Sequence, residues 1–348
     1  MEVLDNVPLA AHTTLGLGGP ARYWTDVTSE AGIPEAFAWA EKRRLEPLPW
    51  GAGSNILAAD CGFDGLVLHM VLRGVDFLPA GRVLAAAGEG WDSLVTAAVA
   101  RGWAGMECLS GIPGSVGAAP VQNVGAYGQE VSQSIVRVRA WDRHAHAFVE
   151  LAAPDCAFAY RSSRFNGADR SRFLITAVEF QLRPAGAPAL RYPELLTRVP
   201  PAASLAEVRA AVLTLRRGKS MLLDPADPDA RSAGSFFKNP VLSAGAGAAL
   251  TARSDGAMPP LYPQPGGNMK TSAAWLIEHS GFAKGFQLPE SGIRLSRKHV
   301  LALVNAGSGT AGQAAALARH IRAAVEARWS VRLELEPVAV GFSLGELG

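Results

Sequence analysis

An uncharged stretch with five glycines, residues 109–128, reads Leu-Ser-Gly-Ile-Pro-Gly-Ser-Val-Gly-Ala-Ala-Pro-Val-Gln-Asn-Val-Gly-Ala-Tyr-Gly. Glycine is used where backbone turns tightly or closely approaches another group. Successive backbone N–H groups in such turns form concave nests that hold anions such as a pyrophosphate. A glycine-rich loop packed between elements is the alternative. A second turn of the same character is Gly51-Ala52-Gly53-Ser54-Asn55, placed directly after residues 47–50, which read as a strand. It lacks the third glycine of the dinucleotide fingerprint and is not clearly followed by a helix, which argues against a Rossmann unit.

Three further groups carry reactive side chains. In Tyr160-Arg161 the arginine is either a surface ion-pair partner or a planar fork for a carboxylate. Gly234-Ser235-Phe236-Phe237-Lys238-Asn239-Pro240 sets a serine before two aromatics, a lysine and an asparagine. Serine after glycine is commonest as a turn or cap residue; these neighbours would instead bury and charge-tune its hydroxyl. No Gly-x-Ser-x-Gly elbow occurs, so a hydrolase triad is not supported. Glu334-Leu335-Glu336-Pro337-Val338 ends a stretch read as a strand. Alternation would put Glu334 and Glu336 on one face, as paired reactive groups or as solvated edge carboxylates.

The elements that must position these groups read as an α+β chain in three parts. Residues 1–70 hold strands at 21–24 and 47–50 around a helix at 34–44. Residues 71–205 hold a strand at 83–87, a helix N-capped by Asp92 and stopped by Gly102, and strands at 135–141, 148–151 and 173–182. Residues 206–336 begin in a helix at 205–217 and continue through residues 224–229, whose prolines and aspartates exclude helix or central strand. This part also holds a helix at 272–279, strands at 300–305 and 331–335, and a helix at 311–329. Leu317, Ile321, Val325 and Trp329 mark one face of that last helix. The tail, 337–348, is expected to return to the first part.

The bulk numbers narrow the field. The chain has 348 residues and a net charge of +2, which gives no reason to expect nucleic acid or an anionic membrane as a partner. Cys61, Cys108 and Cys156 are odd in number and widely spaced, so no disulfide framework is expected and a reducing compartment is the simpler reading. No metal-ligand spacing appears, and His144 and His146 fall in a segment read as a turn. The first residues lack signal-peptide character, and no apolar run reaches the roughly 18 residues that a membrane span needs. A soluble, cytoplasmic protein is expected.

Ile112-Pro113-Gly114-Ser115-Val116-Gly117 followed by Gln122-Asn123-Val124-Gly125-Ala126-Tyr127-Gly128 resembles the flavin-binding segment of the UDP-N-acetylenolpyruvoylglucosamine reductases. With Tyr160-Arg161, the Ser235 motif and Glu336 in family order, the resemblance covers about residues 12–341. It implies an FAD-binding fold of the vanillyl-alcohol-oxidase type, built from two α+β subdomains, with a C-terminal α+β substrate-binding domain. It implies FAD, NADPH as reductant, and a nucleotide-sugar as the small-molecule partner of a monomer. Catalysis would fall to Arg161, Ser235 and Glu336, with Lys238 beside the serine. The choice of Glu336 over Glu334 rests on its distance from Gly341. FAD would be held by Gly51, Ala52, Gly53, Ser54, Asn55, Ile112, Pro113, Gly114, Ser115, Gly117, Asn123, Gly125, Ala126 and Tyr127. Substrate would be held by Tyr160, Tyr192, Lys219, Asn239 and Lys270. The Tyr192 segment is similar to the family form that closes a capping tyrosine over its substrate. Three alternatives remain: a different flavoenzyme of the same fold class, a phosphate-handling transferase, and a non-catalytic nucleotide-sugar binding module.

Overall fold

The computed structural model describes residues 1–254, 256–343 and 345–347. The chain forms two compact units. The first comprises Met1–Val7, Ala21–Gly53 and Asp64–Leu222; the second comprises Pro8–Pro20, Ser54–Phe63 and Leu223–Gly348.

Two sheets organise the first unit. One has the strand order Leu4–Pro8, Pro20–Val27, Phe63–Met70, Pro47–Trp50. Its last pair is parallel, with Leu48 opposite Val67, and the helix Gly32–Lys42 precedes the edge strand. Pro47 and Pro49 are tolerated because that strand lies at the sheet edge. The other sheet has the order Ala147–Ala152, Ile135–Asp142, Phe173–Gln181, Arg82–Ala86, Val75–Phe77, antiparallel throughout. Val138, Val178 and Ala85 form one fully buried row across it. A single core joins both sheets, running from Val27, Ile33 and Leu66 to Val138 and Phe180. The sequence division at residue 70 therefore falls inside one packed unit.

The expected helix after the 82–86 strand is Trp91–Ala100, but its N-cap is Gly90, not Asp92. The Asp92 carboxylate instead accepts from Gly111 N at 2.6 Å and from Arg209 Nη1 at 2.6 Å. Arg209 lies on the Leu205–Gly218 helix, which begins with a Ser204–Glu207 capping box.

In the second unit the Ala311–Trp329 helix buries Leu317, Ile321, Val325 and Trp329 along the expected face. They join a core with the hairpin formed by Ile293–Leu295 and Leu303–Asn305. Thr310 and Gln313 form a capping box at the helix start, and the Asp60 carboxylate accepts from Ala311 N and Gly312 N at 2.8 Å each. The strand expected at residues 331–335 is not formed. That segment pairs only through a bridge between Leu335 and Phe237, and the strand lies later, at Val338–Val340, parallel to Ile56–Ala58. Tail residues Leu344 and Gly348 lie outside the described residues. Among the described residues no helix is long and apolar enough to cross a membrane, and no group of three or more His, Cys, Asp or Glu could hold a metal ion.

Candidate active site

In the first unit the two glycine turns meet. A Cβ on Gly51 would lie 2.6 Å from Ser115 Oγ, so only glycine admits this approach without displacement. Residues 114–117 are pinned by backbone bonds: Trp91 N donates to Gly114 O, Val116 N to Glu89 O and Gly117 N to Ala87 O. Gly114 has a φ of 140°, a conformation L side chains rarely adopt.

Gly125-Ala126 and Gln129-Glu130 pair as a short hairpin. Its two turn residues, Tyr127 and Gly128, both have positive φ (49° and 80°), as a two-residue turn of this hand requires. Asn123 (φ 45°) and Arg161 (φ 52°) are also left-handed. Such strain persists only when neighbours over-determine it, and here they do. Asn123 Nδ2 donates to Glu130 Oε2 at 2.9 Å and to Ala159 O at 3.1 Å, while its Oδ1 accepts from Ser132 N. Arg161 Nη2 donates to Gly125 O at 2.8 Å, and Ser163 Oγ donates to Val121 O at 2.6 Å. The Arg161 turn is thus locked to the glycine-rich loop, and its guanidinium lies 5.5 Å from the Tyr160 ring centroid. The Asn123 side chain is engaged by protein partners and braces this loop.

Tyr192 is 36% exposed and meets Tyr127 edge-on, with ring centroids 5.4 Å apart. Burial pushes the Tyr127 phenol up to about 12, so it stays protonated and able to donate. Leu195, three residues after Tyr192, is buried against Cys108, Val208 and Val212. Lys219 Nζ lies 2.7 Å from Glu194 Oε2.

In the second unit Ser235 precedes two buried aromatics, Phe236 and Phe237. The extended segment runs against residues 334–336: Lys238 N donates to Glu334 O at 2.9 Å, and Glu336 N donates to Phe236 O at 3.0 Å. This pairing sets Ser235 next to the residue whose carbonyl holds Glu336. The two glutamates also separate in environment. Glu334 has a 74% exposed side chain and pairs with Lys238 Nζ at 3.2 Å, whereas Glu336 is half-buried. Lys238 therefore has Glu334 as an ion-pair partner. Asn239 Oδ1 accepts from Ala273 N at 2.9 Å, at the start of the Ala273–Glu278 helix. Lys270 stands opposite Val241 and Tyr262 in a three-stranded sheet.

Residues 22–146 match the family described as FAD binding domain. Residues 225–340 match the UDP-N-acetylenolpyruvoylglucosamine reductase, C-terminal domain. The UDP-N-acetylenolpyruvoylglucosamine reductase of Thermobifida fusca (strain YX) is 45% identical, with 97% of this chain and 98% of that protein covered. The chain belongs to the UDP-N-acetylenolpyruvoylglucosamine reductase family. The reductase of Nocardia farcinica (strain IFM 10152) is 47% identical over 98% of this chain and 91% of its own length. A crystal structure of the Thermus caldophilus reductase covers 97% of this chain and 98% of its own, with a TM-score of 0.67 and 25% identity.

As a member of this family the protein is an α+β, FAD-dependent oxidoreductase. The close approach of residue 51 to Ser115 and the positive φ of Gly114 fit backbone turns drawn up to a ligand, while the N–H groups of Val116 and Gly117 are already bonded to Glu89 O and Ala87 O. Thr14, Glu130 and Glu194 also hold these segments: Thr14 Oγ1 donates to Ser232 O, 218 residues away, Glu130 accepts from Asn123, 7 away, and Glu194 accepts from Lys219, 25 away. A partner 218 residues away leaves no mark in local sequence.

Proposed function

We propose that the chain reduces the enolpyruvyl ether of UDP-N-acetylglucosamine to UDP-N-acetylmuramate, with NADPH as reductant, for peptidoglycan precursor synthesis. The observation that carries the residue roles is the pairing of Phe236 O with Glu336 N, which brings the Ser235 and Glu336 segments side by side. The family membership of the whole chain supplies the reaction class.

FAD, when bound, would supply the hydride chemistry between NADPH and the methylene carbon of the substrate. Residues 51–55 and 112–117, with Asn123, Gly125, Ala126 and Tyr127, would hold it. The chain's own residues then manage charge and a proton. As hydride arrives, negative charge develops on the adjacent carbon and spreads into the carboxylate. Arg161, its fork oriented by Gly125 O, stabilises that carboxylate through charge-assisted hydrogen bonds. Ser235 Oγ delivers the proton to the carbon. A serine hydroxyl is a weak acid in water, but it serves against a carbanion-like centre. Glu336 can assist only in its protonated form or through a bridging donor, because a bare carboxylate would repel the developing charge. Tyr160, Tyr192, Lys219, Asn239 and Lys270 hold the nucleotide-sugar.

The absorbance spectrum of the purified protein tests this. A flavin spectrum bleached by NADPH and restored without oxygen by the enolpyruvyl nucleotide-sugar is the expected result. Bleaching without anaerobic recovery by that substrate would overturn the proposal.

A further inference from the structure

Within the second unit, residues 54–55 of the glycine turn are bonded to both segments assigned to proton delivery. Asn55 Nδ2 donates to Glu336 O at 3.1 Å, and Val338 N donates to Asn55 O at 2.9 Å. On the Ser235 side a link runs through the Thr14 hydroxyl. Thr14 Oγ1 lies 2.7 Å from Ser232 O and 3.3 Å from Ser54 O. A threonine hydroxyl has a single proton, so the short bond is to Ser232 and Ser54 takes the weaker share.

The loop that carries Thr14 is itself braced. Asn305 Nδ2 donates to Leu15 O at 3.2 Å and to Gly16 O at 3.3 Å. The Asn305 N–H donates to Arg231 O at 3.0 Å, next to Ser232. A Cβ on Gly16 would lie 2.7 Å from Arg231 Nη2, so loop and segment are in contact on this side as well. Thr13 Oγ1 closes the loop by donating to Leu17 O at 3.0 Å. The Thr14 hydroxyl is thus held on one side by a fixed loop. On the other it grips a carbonyl three residues before Ser235 and touches the carbonyl of Ser54. Downstream, Phe236 N is anchored to Leu301 O at 2.7 Å, so residues 233–235 span two fixed points.

We propose that Thr14 is a positioning residue that sets the height of Ser235 relative to the turn at Ser54 and Asn55. In this role Thr14 acts through Ser232 and not on the reacting atoms. The inference rests on the proton-donor role proposed for Ser235. It says that delivering a proton at the right place requires the serine segment to be referenced to the turn that ends in Asn55, and that the Thr14 hydroxyl is that reference.

Four variants and two readouts test it. Thr14→Val keeps shape and loses the hydroxyl; Thr14→Ser keeps the hydroxyl and loses the methyl. In stopped-flow absorbance, Thr14→Val is expected to slow flavin reoxidation by the nucleotide-sugar about tenfold, the scale of one lost hydrogen bond. Bleaching by NADPH should stay within about twofold, and Thr14→Ser should restore reoxidation. Added to Ser235→Ala, Thr14→Val should slow reoxidation no further, because residues acting as one unit are non-additive. Hydrogen exchange of the peptide spanning residues 232–236 should rise in Thr14→Val, with and without bound flavin. Equal slowing of both half-reactions, or a full additional factor on top of Ser235→Ala, would overturn the role in proton delivery. Unchanged exchange at residues 232–236 would overturn the positioning claim whatever the kinetics. If Ser235→Ala alone reoxidises at the normal rate, the proton-donor reading falls, while the exchange result still decides whether Thr14 holds the segment.

Discussion

Lys219 Nζ and Glu194 Oε2 form an ion pair at 2.7 Å that ties the end of the Leu205–Gly218 helix to the residue two places after Tyr192. Both side chains are about one-third exposed, at 33% and 38%, so the pair is cheap to exchange for another anion. A diphosphate that takes Lys219 from Glu194 would release the Tyr192 segment, which Leu195 still anchors to the core. Tyr192→Phe is expected to raise the KM for the nucleotide-sugar several-fold with kcat little changed. Lys219→Met should raise KM further and flatten its salt dependence. Steady-state kinetics at two salt concentrations check both, and an unchanged KM in Tyr192→Phe would assign the segment a different task.

Gly114 is the sharpest probe of the flavin turns. Its φ of 140° is nearly closed to L residues, and Trp91 N is bonded to its carbonyl. Gly114→Val is expected to give folded protein with far less bound flavin, read as the ratio of flavin to protein absorbance beside the circular dichroism spectrum. Full flavin content in a folded variant would remove residues 112–117 from the cofactor site.

The pH dependence of stability should carry the signature of Asp142. Hydrogen bonds from Arg172 hold its carboxyl down at about 2, with help from the N–H groups of His144 and Ala145. A folded value below the ordinary 3.8 means the carboxylate stabilises the native state above about pH 4 and loses that contribution as pH falls toward 2. Asp142→Asn should cost about 2 kcal/mol at neutral pH, the scale of hydrogen bonds to a charged group. The gap from the parent should close progressively between pH 4 and about 2. Urea titrations across that range measure it, and a gap independent of pH would mean that packing, not charge, is lost.

The parts of the site legible in the sequence are those whose constraint is local. Gly51, Gly53 and Gly114 announce a backbone that turns or approaches closely, and the turns do meet at Ser115. The Ala311–Trp329 helix announces itself by four-residue apolar spacing. What escaped depends on partners remote in sequence. Asp92 reads as a cap, yet its carboxylate is taken by Arg209, 117 residues away. Lys238 reads as tuning Ser235, yet Glu334 faces it from a segment that only tertiary pairing brings near. Residues 331–335 alternate like a strand, but a strand needs a neighbouring edge, and only Leu335 finds one, at Phe237. The core shared by the two sheets on either side of residue 70 is likewise a tertiary feature that no linker composition reveals.

Ser235 separates the two halves of the proposed reaction. In the first, hydride passes from NADPH to the flavin, and no carbon needs a proton from the protein. In the second, the enolpyruvyl carbon must gain one. Ser235→Ala should therefore leave flavin content and NADPH bleaching close to normal. Reoxidation by the nucleotide-sugar should fall by at least ~10²-fold, the low end for losing a general acid. Phe236 and Phe237, which follow Ser235, are buried and meet edge-on, and one lost hydroxyl costs only about 1 kcal/mol of stability, so unfolding would not explain a dead enzyme. Stopped-flow absorbance of each half-reaction decides the matter. Equal losses in both halves would mean that Ser235 packs or orients the site, and Glu336, held to Phe236 O by its own amide, would become the donor to test by Glu336→Gln.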